Sequence, residues 1–192
     1  MVMTVLLVLG MLTAGCGEEQ TAQARGIITK GDAGTERLDA ELAAYLARVD
    51  RAVSVLQSTP PESWLQVAEG FGEQVGALRA NYSALNVEVE KITAEYKKVF
   101  DLQGVPDYQK YADMRTQYVA IVDRQLENVE DYIGEFFDLW GEMVNNPPPD
   151  TSIVLNSIQE IVTEYRGRED PLDAQKQQLA QQAELFKWQY AL

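Results

Sequence analysis

Histidine is absent from this chain of 192 residues, and cysteine occurs only once. A single cysteine cannot form an internal disulfide, so the stability of the folded chain must come from buried apolar surface. Basic residues are also scarce, at 16 against 30 acidic residues. The net charge of −14 opposes binding to nucleic acid phosphates and to anionic lipid headgroups. Hydrophobic residues make up 46% of the chain, enough for one globular domain with a core.

An uncharged apolar run, Val5 to Leu12, lies near the start of the chain, and Thr13-Ala14-Gly15-Cys16 follows it. The run is too short to span a bilayer, which takes about 20 apolar residues, but it has the length of a signal-peptide core. Small residues directly before a cysteine resemble the lipobox of bacterial lipoproteins. The resemblance implies cleavage after Gly15, which makes residues 1–15 a signal peptide. It also implies a diacylglyceryl group and a fatty acid such as palmitate on Cys16.

Two features depart from the usual lipoprotein signal peptide. Thr13 stands where the lipobox usually has leucine, and Met1 to Thr4, before the apolar run, contain no basic residue. The alternative is a buried amino-terminal strand or helix with an inert cysteine. The polar residues directly after Cys16 favour export over burial. The resemblance therefore implies a protein lipid-anchored to the cell envelope. In a Gram-negative cell, Gly17 after the cysteine permits transfer to the outer membrane, facing the periplasm or the surface.

Residues 16–35 are predicted to contain the lipidated cysteine followed by a flexible tether. They are rich in Gly, Ala, Thr, Gln and Glu, and only Ile27 and Ile28 are strongly apolar, too few to order the segment. A flexible coil of about 18 residues has an r.m.s. reach of roughly 25 Å. The sequence therefore predicts a domain, residues 36–192, that stands away from the membrane.

Apolar residues recur at steps of three and four throughout residues 36–192, which predicts an all-α domain. The second helix has the most regular seam, which predicts coiled-coil-like packing. Short connections favour antiparallel neighbours. We therefore expect an elongated antiparallel helical bundle of three long helices and a shorter N-terminal helix. A proline is expected to break the last long helix near 167–171. The predicted helices cover 36–58, 60–102, 107–145, and 152–167 with 171–191.

A stripe of small residues lies on the second predicted helix and includes Gly70, Gly72 and Gly76. A glycine inside a helix costs roughly 1 kcal/mol relative to alanine. Two interpretations are open: close packing against alanines of the first helix, or a groove or flexible point for a partner. Most aromatic residues lie on the apolar seams and are expected in the core. Phe137 and Trp188 lie off the seams and could anchor a partner.

The sequence contains no recognisable catalytic, cofactor or metal site. Di-metal bundles use Glu-x-x-His pairs, and neither these nor a calcium loop, a nucleophile elbow or a phosphate loop is present. Acidic clusters on helices are expected to be solvated faces. The sequence therefore favours a non-enzymatic envelope lipoprotein whose rod binds an envelope protein, associates with itself or acts as a spacer. The alternatives are a carrier or sensor of a small apolar ligand and, least favoured, a cell-envelope enzyme.

Overall fold

Four long helices form a bundle in the computed structural model, which describes residues 2–60, 63–146 and 151–192. Side chains are described from Gly17 onward, except at positions 56, 64, 65, 68, 69 and 151. The described residues contain no strand, which confirms the all-α helical bundle. A short 3₁₀ turn, Lys98–Asp101, follows the second helix. The helices are α1 Val2–Ser58, α2 Trp64–Lys97, α3 Pro106–Asn145 and α4 Thr151–Tyr190.

The helices run alternately up and down, as side-chain contacts at two levels of the bundle show. At one level, Asp32 of α1 contacts Tyr96 of α2 and Lys187 of α4. At another, Phe71 near the start of α2 stacks on Phe137 near the end of α3. Arg37 of α1 also contacts Glu88 of α2, and Asn128 of α3 contacts Glu169 of α4, so each helix is antiparallel to the next in sequence. With 40 residues, α3 spans about 60 Å, which makes the bundle a rod.

The core follows α3, which packs against each of the other three helices. Several of its side chains are fully buried, including Val119, Val122, Leu126 and Val129. Of the eleven positions of the seam predicted for the second helix, eight are buried and Tyr82 is half-buried, whereas Trp64 and Ala68 lie outside the described side chains. Those eight are Phe71, Val75, Leu78, Leu85, Val89, Ile92, Tyr96 and Val99.

The prediction of a flexible tether over 16–35 is wrong, and so is the prediction that the N-terminal helix is the shorter one. Helix α1 extends without interruption from Val2 to Ser58 and has 57 residues. Ala24, Ile28 and Thr35 are buried against the other helices. The composition gave no sign of this because a helix that packs at its small residues needs few large apolar side chains.

The predicted break near 167–171 is also wrong, since α4 is one continuous helix through Pro171. Proline removes the N–H that would bond to the carbonyl of Gly167. Both residues are exposed, so water can satisfy that carbonyl, and Gly167 adds no side chain to the crowded turn. Packing of α4 on α3 then favours one helix over two.

Close approach of α1 to α2 depends on Gly31. A Cβ placed on Gly31 would lie 2.5 to 2.9 Å from three ring carbons of Tyr96, inside van der Waals contact. Gly34 is similar, with its added Cβ 2.9 Å from Ile92. The missing side chain at Gly31 therefore leaves the space that the Tyr96 ring occupies beside α1.

We expect Gly31→Ala to destabilise the bundle by about 1–3 kcal/mol, because the new methyl group displaces the Tyr96 ring. Gly72→Ala is the matched control in an open part of α2, and we expect it to stabilise by up to about 1 kcal/mol through helix propensity. Urea unfolding followed by circular dichroism measures both changes. A Gly31→Ala protein at least as stable as the parent would contradict the packing.

Candidate functional site

The residues predicted for lipid attachment, Gly15 and Cys16, belong to α1, but their side chains lie outside the described ones. Gly17, the first residue whose exposure is described, directly follows Cys16 in the same helix. A lipid on Cys16 would therefore be joined to the bundle by helix. No helix in the described part of the chain is long and apolar enough to cross a bilayer.

The glycine stripe on α2 does not pack against another helix. Gly70, Gly72 and Gly76 are exposed, and a Cβ added to any of them meets no atom within 4 Å. Of the two interpretations, close packing against α1 is therefore wrong. The stripe is therefore an open surface of α2, and its role as a partner surface stays a prediction.

The two aromatic candidates differ in burial and lie at opposite ends of the rod. Phe137 is half-buried, with its ring centroid 5.2 Å from that of Phe71 and the Arg79 guanidinium 5.8 Å away. Packing therefore accounts for Phe137. Trp188 is 85% exposed and contributes little to the core. The five candidate surface residues do not form one site, because the glycines lie near Phe137 while Trp188 lies near the far end.

A buried charge cluster, which the sequence did not predict, lies near the end of the bundle where α4 stops. It consists of Asp32, Tyr96, Tyr111, Arg115 and Lys187, contributed by all four helices. The Asp32 carboxylate accepts hydrogen bonds from both tyrosines at 2.8 to 3.0 Å and from the Lys187 ammonium at 2.7 Å. The Arg115 Nε lies 3.3 Å from the same carboxylate and donates to the Tyr96 hydroxyl. One carboxylate thus binds all four helices together.

The pKa values of Tyr96, Tyr111 and Arg115 are all raised, which keeps the two phenols and the guanidinium of the charge cluster protonated. Burial raises the pKa of Tyr96 to about 12, and burial and Asp32 raise the pKa of Tyr111. Burial opposes the charge of Arg115, but nearby Tyr96, Tyr111 and Asp32 raise its pKa above the usual value. Both phenols therefore remain donors and Arg115 remains a cation at neutral pH. With its oxygens occupied, Asp32 is poorly suited to act as a general base.

A second polar group joins α3 to α4 near the middle of the rod. The side-chain amide of Gln125 donates hydrogen bonds from its Nε2 to Glu169 at 2.6 Å and to Asp173 at 2.7 Å. The side-chain amide of Asn128 donates to Glu169 at 2.8 Å. Burial is the main cause of a raised pKa at Glu169, with Asp173 adding to it, while the two amides and Lys176 act in the opposite direction. The amide oxygens of Gln125 and Asn128 have no hydrogen-bond partner.

The described residues contain no group of three or more Asp, Glu or Cys side chains that could hold a metal ion. The chain matches no protein-family model, no curated protein and no solved structure. Its function must therefore be argued from its own residues.

We expect Asp32→Asn to lower the free energy of unfolding by about 3–5 kcal/mol, because Arg115 keeps its charge in the interior without a counter-ion. The matched control is Glu88→Gln, which removes the partner of the exposed Arg37 at 3.4 Å and should cost no more than about 1 kcal/mol. Urea unfolding at pH 7 measures both. Equal losses in the two variants would show that the charge cluster does not hold the helices together.

Glu169→Gln should change how stability depends on pH. A folded-state pKa above the unfolded one means that the Glu169 contribution is complete below the ordinary value of 4.5 and is lost as the pH rises through the raised pKa. A glutamine stays neutral and can donate to an unpaired amide oxygen, so the stability of the variant relative to the parent should increase from pH 4 to pH 7.

Unfolding in urea at both pH values measures this effect, with Glu160→Gln on the exposed face of α4 as the control. A relative stability of Glu169→Gln that stays constant or falls as the pH rises would refute the assignment.

Proposed function

We propose that this chain is an exported lipoprotein of the cell envelope, anchored through Cys16, with a non-enzymatic binding, scaffold or spacer role. The observation that carries the proposal is the placement of the lipobox-like residues Thr13 to Cys16. They belong to α1, which leads directly into a four-helix rod. In a Gram-negative cell the proposed location is the outer membrane.

The buried carboxylates accept hydrogen bonds from other helices of the bundle, which favours a non-enzymatic role. Asp32 and Glu169, two buried carboxylates, each accept hydrogen bonds from neighbouring helices and so link helices to one another. A glycosidase would need two carboxylates facing a substrate across a cleft. The buried carboxylates here instead face side chains of the bundle.

The grooves of the bundle give little support to the alternative of a ligand carrier. Among the described residues, three of the grooves between neighbouring helices have volumes of about 500, 360 and 420 Å³ and open to solvent. Charged or amide side chains line each of them. A carrier of small apolar ligands buries most of the ligand in an apolar cavity. Open grooves with polar linings are more consistent with a rod that binds proteins or acts as a spacer than with a ligand carrier.

Replacement of Cys16 tests the anchor. In bacteria fed an alkyne analogue of palmitate, we expect the parent chain to incorporate the label and Cys16→Ala to lose it entirely, because the acyl groups depend on that cysteine. The measurement is in-gel fluorescence after coupling the alkyne to a dye. Gly17→Ala, one residue further along α1, is the matched control and should keep the label. An unlabelled parent chain, or equal labelling of Cys16→Ala, would refute the proposal.

A further inference from the structure

The end of the rod where α1 enters the bundle differs from the rest of the surface. The backbone N–H of Gln103, after the 3₁₀ turn, donates to the Gln20 side chain at 3.2 Å. The α2–α3 connection therefore lies beside the turn of α1 that contains Gln20. Helix α4 ends at Tyr190, close to the level of Asp32, which Lys187 contacts. The chain segment before Gly17, which includes the apolar run, therefore extends from this end.

Exposed aromatic side chains occur at this end. Among the described residues, the large aromatic side chains with high exposure are Phe100 at 46%, Trp188 at 85% and Tyr190 at 42%. Leu185, one turn before Trp188 on the same face of α4, is 68% exposed. Among the side chains described at the opposite end, which do not include that of Trp64, the exposed large ones are the aliphatic Val55, Ile153 and Leu155. Tryptophan and tyrosine are the residues enriched at membrane–water interfaces.

Lysines surround the rod at the same level, although the chain as a whole is acidic. Five of its seven lysines lie there, and each helix contributes at least one. Their common level follows from the charge cluster, since Lys97 and Lys110 are sequence neighbours of Tyr96 and Tyr111, and Lys187 contacts Asp32 directly. We call them the lysine collar, made of Lys30, Lys97, Lys98, Lys110 and Lys187.

We propose that the side of the lysine collar formed by the last turns of α4 lies on the phospholipid headgroups, with Leu185 and Trp188 in the interface. This inference rests on the proposed anchoring at Cys16. Without a flexible tether, the collar lies only about 21 Å along α1 from Cys16, counted from Lys30 at 1.5 Å per residue. The rod must therefore incline for the collar to meet the headgroups, and the α4 side offers the most exposed apolar surface.

The charge distribution supports a lipid surface as the occupant. Lys187 already donates to Asp32 and Lys98 to Glu95, so contact with phosphates would fall to the other collar lysines. Such side chains can extend their ammonium groups to phosphates while their stems cover apolar surface. The overall charge of −14 opposes flat binding of the whole rod to anionic lipid. At the collar end, residues 17–36, 93–115 and 184–192 contain seven basic and nine acidic residues, so this end opposes anionic lipid much less than the rest of the rod does. The expected contact is therefore confined to that end.

A pair of spin labels on α4 tests the contact. Leu185→Cys and Leu155→Cys place a nitroxide at two similarly exposed positions, 68% and 58%, about 45 Å apart on the same helix. The acylated full chain is labelled and reconstituted in vesicles of phosphatidylcholine with phosphatidylglycerol. Power-saturation EPR then compares exposure of each label to oxygen, which enriches in lipid, and to a water-soluble nickel complex. Acylated Cys16 is blocked, so each variant carries one reactive thiol.

We expect the label at 185 to show lipid-like exposure and the label at 155 to show aqueous exposure. Adding Trp188→Glu should return the 185 label to aqueous exposure without releasing the protein from the vesicles. Aqueous exposure at both positions in vesicle-bound protein would overturn this inference while leaving the anchor intact. Chain that carries no acyl group and does not associate with vesicles would overturn the anchoring proposal instead.

Discussion

The carboxylate of Asp32 is the interaction on which the arrangement of the four helices depends. It lies in the interior and accepts hydrogen bonds from α2, α3 and α4. A buried charge costs several kcal/mol unless it is paired and hydrogen-bonded, so any slip of one helix along another would leave it or Arg115 unsatisfied. Apolar seams with a regular repeat tolerate such slips better, because one turn resembles the next. The cluster therefore sets the register of the rod, and Gly31 provides the space in which Tyr96 reaches it.

The same cluster explains why residues 17–35 are packed helix rather than a flexible tether. Residues 17–35 carry few large apolar side chains, yet they contain Asp32 and the two glycines at which α2 approaches closely. Once that segment is helical and packed, an anchor at Cys16 would hold the end of the rod near the membrane rather than at a variable distance. If the anchor is at Cys16, the exposed Trp188 would lie within reach of a lipid surface. The glycine stripe on α2 lies far from this end, and nothing in the structure explains it.

Much of the bundle could be predicted from the repeat of apolar residues. The seam on α2 and the antiparallel order of the helices followed from steps of three and four and from short connections. Pro171 was misleading because its effect depends on exposure, and the exposed carbonyl of Gly167 can bind water. Phe137 was misleading because a side chain off the ideal seam can still stack on a neighbour such as Phe71. The prediction from composition was wrong for residues 17–35, because helix packing there depends on glycines without a side chain more than on buried apolar area.

By itself, the sequence determined the helical class, the elongated antiparallel arrangement and the lipobox-like segment that motivates the anchor. These are local properties, set by periodicity, by helix-breaking residues and by the order of residues around Cys16. Only the tertiary structure decided that Asp32 meets Tyr96, Tyr111, Arg115 and Lys187, and that five lysines share one level. Those residues are far apart in the chain, and their meeting depends on how four helices align. The alignment is set by small residues and buried charges, whose positions have no period that could be recognised beforehand.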